Sequence, residues 1–482
     1  MNQDKFNQLA SQGHNRIPLY RCISADLDTP LSAWLKLANG KHTFLLESVE
    51  GGARWGRYSI IGLSASFRFQ VFDRTFREYA YDTLVDEYEV DDVLAQVEVI
   101  KARFSVPEIE ELPGFSGGLV GYFGYETIEH IEPRLKGLAP EDRLHIPDIH
   151  MMLAEEIAVF DNLAGKVWLI THVDPSEQLA YEKGSKRLRD LTHRLRSGTT
   201  GYAEMINPNS IDTTDFKTGF SREEFDDAIA QCKRYIESGD IMQVVLSQRI
   251  STHFNARPLD VYRALRAFNP SPYMYFMDFD DYQVVGSSPE VLVRRVGDEV
   301  TLRPIAGTRP RGKTPAEDRA LEVDLLNDPK EIAEHLMLID LGRNDVGRIA
   351  EIGSVVLKDK MIIEHYSHVM HIVSNVEGQI KDGVDALTAL MAGFPAGTVS
   401  GAPKVRAMQI IEELEPDRRG IYAGCIGYFG ADGSMDTCIV LRTAVVKDGK
   451  MIVQAGAGIV ADSDPASEHQ ECVNKAKALV RA

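Results

Sequence analysis

Positive charge, cysteine and long apolar runs are all scarce in this chain. Lys and Arg number 53 against 72 Asp and Glu, leaving a formal net charge of -19. A nucleic-acid interface needs a basic patch, so no nucleic-acid partner is expected. An anionic substrate would have to be held by locally placed Arg, Lys and backbone N–H groups, because the overall field repels it. The five cysteines, Cys22, Cys232, Cys425, Cys438 and Cys472, are scattered and form no C-x-x-C pair. They read as reduced thiols of a cytoplasmic protein, neither a disulfide framework nor a zinc site. No apolar run approaches the ~18 residues of a membrane span, so no membrane association is expected. The N-terminus, MNQDKFNQLASQG, has no apolar stretch of signal-peptide type.

What is present is an ordinary globular composition. Hydrophobic residues make up 44% and charged residues 26%, which excludes disorder as the default for these 482 residues. That length suits two or three domains. The clearest boundary is 196–217, RSGTTGYAEMINPNSIDTTDFK, polar and without apolar periodicity. It divides a region over 1–200 from a second over 215–482. Short β-prone runs (Thr43–Leu46, Arg57–Ile61, Phe67–Phe72, Val167–Thr171) and helices near 91–104 and 176–196 fill the first. The second alternates helices (221–238, 329–341, 403–415) with strands (241–250, 282–286, 291–295, 301–305, 438–446, 451–455). Ser221 and Glu224 form a capping box for the 221–238 helix. Tight Gly-Asp and Asp-Gly turns within 291–305 and 438–455 predict antiparallel hairpins. The expected class is α+β (mixed α/β), with antiparallel sheets packed together and helices outside. GGLVGYFGY (117–125) also resembles AGCIGYFGA (423–431), which suggests halves of related topology.

Asp328 to Asp345, DPKEIAEHLMLIDLGRND, carries the strongest chemical signal. Asp328 reads as an N-cap, with Pro329 at the first helical position and Glu331 three residues after the cap. Ile332, Leu336 and Ile339 are the expected buried stripe. Glu334 lies one turn beyond Glu331, on the same face. The same spacing recurs at Glu468 and Glu471. Together the pairs offer four hard oxygen donors, which suit Mg²⁺. Glu331 could equally serve only as a capping residue, and either pair could be a solvated helix face. PAGTVSGAPK (395–404) is a Gly-rich turn running into a helix, with Pro403 in its first turn, a seat for a carboxylate or phosphate. It is not a Walker motif. AGAGI (455–459) would let a ligand approach the backbone at Gly456 and Gly458. RPIAGTRPRG (303–312) is a basic loop after a strand. Glu290 in GSSPE follows a strand and a Pro turn, where a desolvated carboxyl could serve as a general acid. His371 in SHVMHIVS sits in an apolar run, where a hydrogen-bonded core His is the ordinary reading.

These segments resemble the chorismate-utilising enzymes, most closely their anthranilate synthase component I group. The resemblance spans nearly the whole chain. It rests on LLESVEGGARWGRYSIIG, PIAGTRPRG, KEIAEHLMLIDLGRNDVGR, HYSHVMHIVS, PAGTVSGAPK, IVLRTAVV and QAGAGIVADS. It implies a sandwich of two antiparallel sheets with helices around it. Two positions discriminate among nucleophiles. Members that add water have a Lys where this chain has Gln243, which fits ammonia. Aminodeoxychorismate synthases carry a Lys in P-I-K-G-T, where this chain has Ala306. The implied reaction is amination of chorismate at C2, loss of the C4 hydroxyl and elimination of pyruvate, the first step of tryptophan biosynthesis.

The resemblance also assigns roles. Mg²⁺ would be held by Glu331, Glu334, Glu468 and Glu471, Glu290 would be the general acid, and His371 would serve the elimination. Thr398, Gly397, Ser400, Gly401 and Ala402 would cradle the ring carboxylate. Tyr422, Arg442, Gly456 and Gly458 would take the enolpyruvyl carboxylate, and Lys475 would pair with a substrate carboxylate. Ser48, Pro272, Tyr273 and Met274 would line a tryptophan feedback pocket in the N-terminal regulatory region, opposite the catalytic region. Ammonia would come from a glutamine amidotransferase subunit, for which this chain holds no candidate domain. Departures from the pattern are Ala423, which would demand φ < 0 or crowd substrate, together with Gln470, Cys438, Leu441 and Leu246. They leave open an aminodeoxyisochorismate synthase, a secondary-metabolism paralogue, or a catalytically weak tryptophan-sensing subunit.

Overall fold

Two 12-stranded antiparallel sheets, packed face to face, form the centre of the molecule. The computed structural model describes residues 1–38, 40–49, 56–198, 216–366 and 369–480. Most of the expected linker, residues 51–55 of the GGARWG motif, and Ser367 and His368 lie outside the described residues.

The first sheet runs in space through Ile17–Ser24, Lys166–Val173, Glu156–Asp161, Tyr58–Gly62, Thr43–Glu47, Tyr273–Asp278, Tyr282–Ser288, Thr443–Lys447, Lys450–Ile459 and Gln243–His253. The second runs through Ile305–Pro310, Val369–Gln379, Glu299–Leu302, Val291–Val296, Met435–Ile439, Cys425–Gly430, Gly118–Phe123, Ile149–Ala154, Phe67–Phe72, Thr75–Ala80 and Thr83–Glu89. Each sheet therefore crosses from the N-terminal to the C-terminal region, at Thr43–Glu47 beside Tyr273–Asp278 and at Gly118–Phe123 beside Cys425–Gly430. Alternation along the strands builds three layers of core. Phe44, Tyr122, Met152, Ile157, Tyr275, Val284 and Ile426 fill the space between the sheets. The outer face of the first sheet buries Ile17, Leu45 and Phe276 against the Pro30–Leu37, Ala180–Ser197 and Pro258–Phe268 helices. That of the second is covered by Val97, Ile100, Val346, Ile349 and Leu390 from the Val93–Ala102, Pro329–Ile349 and Ala386–Gly393 helices.

The two similar nine-residue segments turn out to be neighbours. Gly121 faces Gly427 at the centre of their antiparallel pairing. The halves repeat the same strand order on either side of this pair, so a pseudo-two-fold axis passes through it.

Three sequence expectations change. The 438–446 strand is two strands, Met435–Ile439 in the second sheet and Thr443–Lys447 in the first, with Arg442 at the crossover. The 301–305 strand likewise breaks between Leu302 and Ile305. The helix from Pro329 continues to Ile349, and its buried stripe is His335, Leu338, Ile339, Gly342, Val346 and Ile349. Leu336 is exposed, because packing on the Val369–Gln379 strand turns His335 inward, its Nε2 2.7 Å from Ser374 Oγ.

Candidate active site

Glu290 follows the Tyr282–Ser288 strand at a Ser-Pro turn, which carries its carboxyl into the interior, 6% exposed. Burial pushes its pKa up to about 8, against the opposing pull of Thr398, the Ile305 backbone and Arg442. At neutral pH it holds its proton, the state a general acid needs. Thr398 lies beside it in a crevice of about 40 Å³ that also reaches Gly397, Leu341 and Asp345. Its Oγ1 is buried without a hydrogen bond of normal geometry, a donor awaiting an acceptor.

Arg442 occupies the crossover with φ 49°, and its carbonyl accepts the Ser287 N–H at 3.1 Å. Its guanidinium faces Glu290 and Tyr366 and makes no hydrogen bond or ion pair with a described residue. A desolvated, unpaired guanidinium beside an uncharged acid is a receptor for a carboxylate. His371 stands on the Val369–Gln379 strand, where burial brings its pKa down to about 4, with Arg442 adding to the shift. Its Nδ1 lies 3.1 Å from Gly307 O and 3.1 Å from Thr308 Oγ1. A carbonyl only accepts, so Nδ1 carries the proton and Nε2 is left as a neutral base. The core-histidine reading thus describes its hydrogen bonding without removing its basicity.

The second wall joins the start of the Gln243–His253 strand to the end of Lys450–Ile459. Gln243 Nε2 lies 3.5 Å from Glu334 Oε1. A Cβ on Gly458 would stand 2.6 Å from that same Nε2, and one on Gly456 2.9 Å from the Tyr422 hydroxyl oxygen, so both positions need glycine. Lys475 Nζ donates to Gly456 O at 3.0 Å and pairs with Glu471 at 2.7 Å. Gly397–Val399 forms a 3₁₀ turn, Ser400 Oγ donates to Ala396 O, and Gly401–Ala402 pairs with Gln243–Val244. Pro403 is the N-cap of the helix that starts at Lys404, one place earlier than expected.

The four glutamates border this same cleft. Asp328 caps its helix through the Lys330 and Glu331 N–H groups, while the Glu331 carboxylate lies 3.5 Å from Arg309. A pure capping role for Glu331 is thereby excluded. Burial and the neighbouring Glu334 raise the pKa of Glu331; burial likewise raises that of Glu468, with Glu471 adding to it. Lys330 stands near Glu468, which brings the two helix starts together. No group of three or more His, Cys, Asp or Glu among the described residues is close enough to hold a metal ion. The donor chemistry fits Mg²⁺, whereas the expected four-carboxylate cluster is not assembled in this conformation.

Sequence reasoning missed the group that ties the walls together. Arg419, buried at 2% exposure, donates to Val399 O at 2.7 Å and Val245 O at 2.8 Å. It pairs with Glu415 at 2.7 Å and stacks over Tyr422, 5.5 Å from the ring centre. Glu415 in turn accepts from the N–H and hydroxyl of Ser247. The run EPDRRG reads as a solvated loop, and nothing in its spacing announces a buried pair.

Comparison with known proteins agrees with this geometry. Residues 45–481 match the family model described as chorismate binding enzyme. Anthranilate synthase component 1 of Pseudomonas aeruginosa is 54% identical over 483 residues, covering 100% of this chain and 98% of that one. The protein of the same name from Aquifex aeolicus is 48% identical, covering 98% and 95%. The chain belongs to the chorismate-binding enzymes. The crystal structure of anthranilate synthase component I from Streptococcus pneumoniae superposes with a TM-score of 0.79 at 39% identity, covering 95% of this chain and 99% of that one. The menaquinone-specific isochorismate synthase of Escherichia coli, at 20% identity, shares the fold with a TM-score of 0.70 over 99% and 98%.

This chorismate-binding enzyme carries its sequence departures in different environments. Ala423 adopts φ 64°, so the expected restriction to negative φ does not hold; the buried turn imposes the left-handed conformation on it. Gln470 is exposed and donates to Asn474 at 2.9 Å. Leu246 and Cys438 are core residues. Ser48 follows the Thr43–Glu47 strand, which pairs with Tyr273–Asp278 and so lies beside Pro272, Tyr273 and Met274. Tyr273 donates to Asp436 at 2.7 Å, while Met274 faces the opposite, helix-covered side of the strand. Glu47, also missed, accepts from Tyr262 and from Arg266 at 3.0 Å.

Proposed function

We propose that this chain is the large subunit of an anthranilate synthase, converting chorismate and ammonia to anthranilate, pyruvate and water. The observation that carries the reading is Glu290, a carboxyl kept protonated by burial beside the unpaired guanidinium of Arg442. Arg442, Tyr422 and the Gly456–Gly458 backbone would bind the enolpyruvyl carboxylate. Thr398 and the Gly397–Ala402 turn would take the ring carboxylate, near Lys475. Glu331, Glu334, Glu468 and Glu471 would hold Mg²⁺, which when bound neutralises that carboxylate.

In the first step the ammonia nitrogen bonds to C2, the ring double bonds shift and the C4–O bond breaks. Glu290 gives its proton to the departing hydroxyl, which leaves as water. Gln243 lines the nucleophile's side, and unprotonated ammonia needs no base there. In the second step His371, neutral at working pH, accepts the C2 proton while the C3–O bond breaks. The ring becomes aromatic, and the released enolpyruvate ketonises to pyruvate.

The proposal includes feedback by tryptophan at Ser48, Pro272, Tyr273 and Met274 in the N-terminal region, a glutamine amidotransferase subunit as ammonia donor, and a cytoplasmic location. Support for the last is five cysteines that are all free thiols, four of them buried. The test is an assay with chorismate, Mg²⁺ and ammonium that follows anthranilate fluorescence and pyruvate together. Equal release of both is expected. Chorismate loss without pyruvate would make the product an aminodeoxyisochorismate, and no consumption would leave a sensing subunit.

A further inference from the structure

The pseudo-two-fold axis gives the catalytic pocket a counterpart in the N-terminal half. Leu119 pairs with Leu153 as Cys425 pairs with Ile439. Further along the same chain segments, Ile157 pairs with Gly62 as Thr443 pairs with Gly286. The fourth residue past each glycine is Ser66 in one half and Glu290 in the other. On the adjoining strands, Pro18 pairs with His172 as Ser247 pairs with Gly456. Ser66 thus stands where the acid stands, His172 where Gly456 stands, and Arg16 where Val245 stands.

At that place lies a crevice of about 230 Å³, walled by Phe104, Leu119, Leu153 and Phe429, with Arg16 and Lys101 also lining it. We propose that this crevice binds a free amino acid with an aromatic side chain. Catalysis is lost there, since a serine replaces the acid. Its volume is below the about 300–1,000 Å³ of drug-sized sites and suits one amino acid. Two aromatic and two aliphatic walls suit a ring. The polar groups alternate in sign. Arg16 Nε donates to Glu155 at 2.5 Å and Nη1 to Asp174 at 3.0 Å, while Nη2 makes no hydrogen bond with a described residue. Lys101 pairs with Glu98 at 2.7 Å and has further N–H groups to give. His172 Nδ1 is bound to Glu155 O, and its Nε2 is buried without a partner. A carboxylate at Arg16 and Lys101 with an ammonium towards Glu155 and Asp174 leaves no charge unpaired, whereas a simple acid or amine would. The crevice shares no residue with the Ser48–Tyr273 region, and this inference stands independently of the proposed reaction.

The experiment is calorimetric titration of the full chain with L-phenylalanine, 3-phenylpropionate and phenethylamine. Saturable binding of phenylalanine is expected, at least about tenfold tighter than either fragment. Arg16→Leu and Leu153→Trp should weaken it by at least about tenfold while chorismate turnover stays within about twofold. Lys101→Ala, at the rim of the crevice, repeats the test should either core variant fold poorly. Absence of binding to the unmodified chain, or equal binding by all three variants, overturns the proposal. So does binding that Ser48→Phe abolishes and Arg16→Leu leaves intact, which would place the ligand in the other region.

Discussion

Single residues carry both the chemistry and the strain of this site. Ala423 is held at φ 64° in a buried turn, its N–H bound to Val440 O at 3.1 Å. A left-handed alanine costs on the order of 1 kcal/mol, and glycine would relieve it at some entropic cost in the unfolded chain. Ala423→Gly should therefore raise stability by roughly 0.5–1 kcal/mol in urea unfolding, with little effect on turnover. Glu126 is buried and accepts the Gly420 N–H, and burial raises its pKa to about 7 from the usual 4.5. Its contribution is full below the ordinary carboxyl range and is lost as pH rises through about 7, because the unfolded chain releases the proton first. Unfolding free energy should fall over that window, and Glu126→Gln should flatten the fall by on the order of 1–3 kcal/mol. Urea titrations at several pH values decide this.

Between elements, Arg419 and Glu415 join the carboxylate cradle at Val399, the Gln243–His253 strand at Val245, and Tyr422. Breaking one side of a buried pair costs about 3–5 kcal/mol. Arg419→Gln should lower stability by that order and raise KM for chorismate more than it lowers kcat, since the pair positions binding groups. Arg419→Lys keeps the charge but not the fork, and should recover stability only in part. Steady-state kinetics beside thermal unfolding separate the two effects. This tie was illegible in the sequence because it joins residues far apart in the chain through backbone carbonyls. What was legible lay in loops next to strands: the Glu290 turn, the 395–404 turn and the helix opening at Asp328. Periodicity failed where tertiary packing decides phase, as with Leu336, exposed because His335 meets Ser374. It failed too at 438–446, where one apolar run changes sheets at Arg442.

At the scale of the molecule, the two sheets are shared by both regions, so the sequence boundary at 196–217 is not a division between separate cores. Residues 216–482 alone would expose the Tyr273–Asp278 and Cys425–Gly430 strands as long unpaired edges. That fragment should be insoluble or unfolded when expressed by itself, and the intact chain should unfold with both regions coupled; circular dichroism of each checks this. The class and the antiparallel sheets followed from strand spacing and turns, and the related halves from one short repeat. The strand order did not, because pairing across the axis joins segments some 300 residues apart in the chain. The central claim is that burial makes Glu290 the acid that releases the C4 hydroxyl. Its most direct test is the pH profile of anthranilate and pyruvate formation, compared between the unmodified chain and Glu290→Gln. The account predicts equal release of both products, with a rate that falls as pH rises past about 8. Glu290→Gln should lose about 10²–10⁴-fold in kcat with little change in KM. A glutamine variant of unchanged rate, or a profile indifferent to pH around 8, would contradict it.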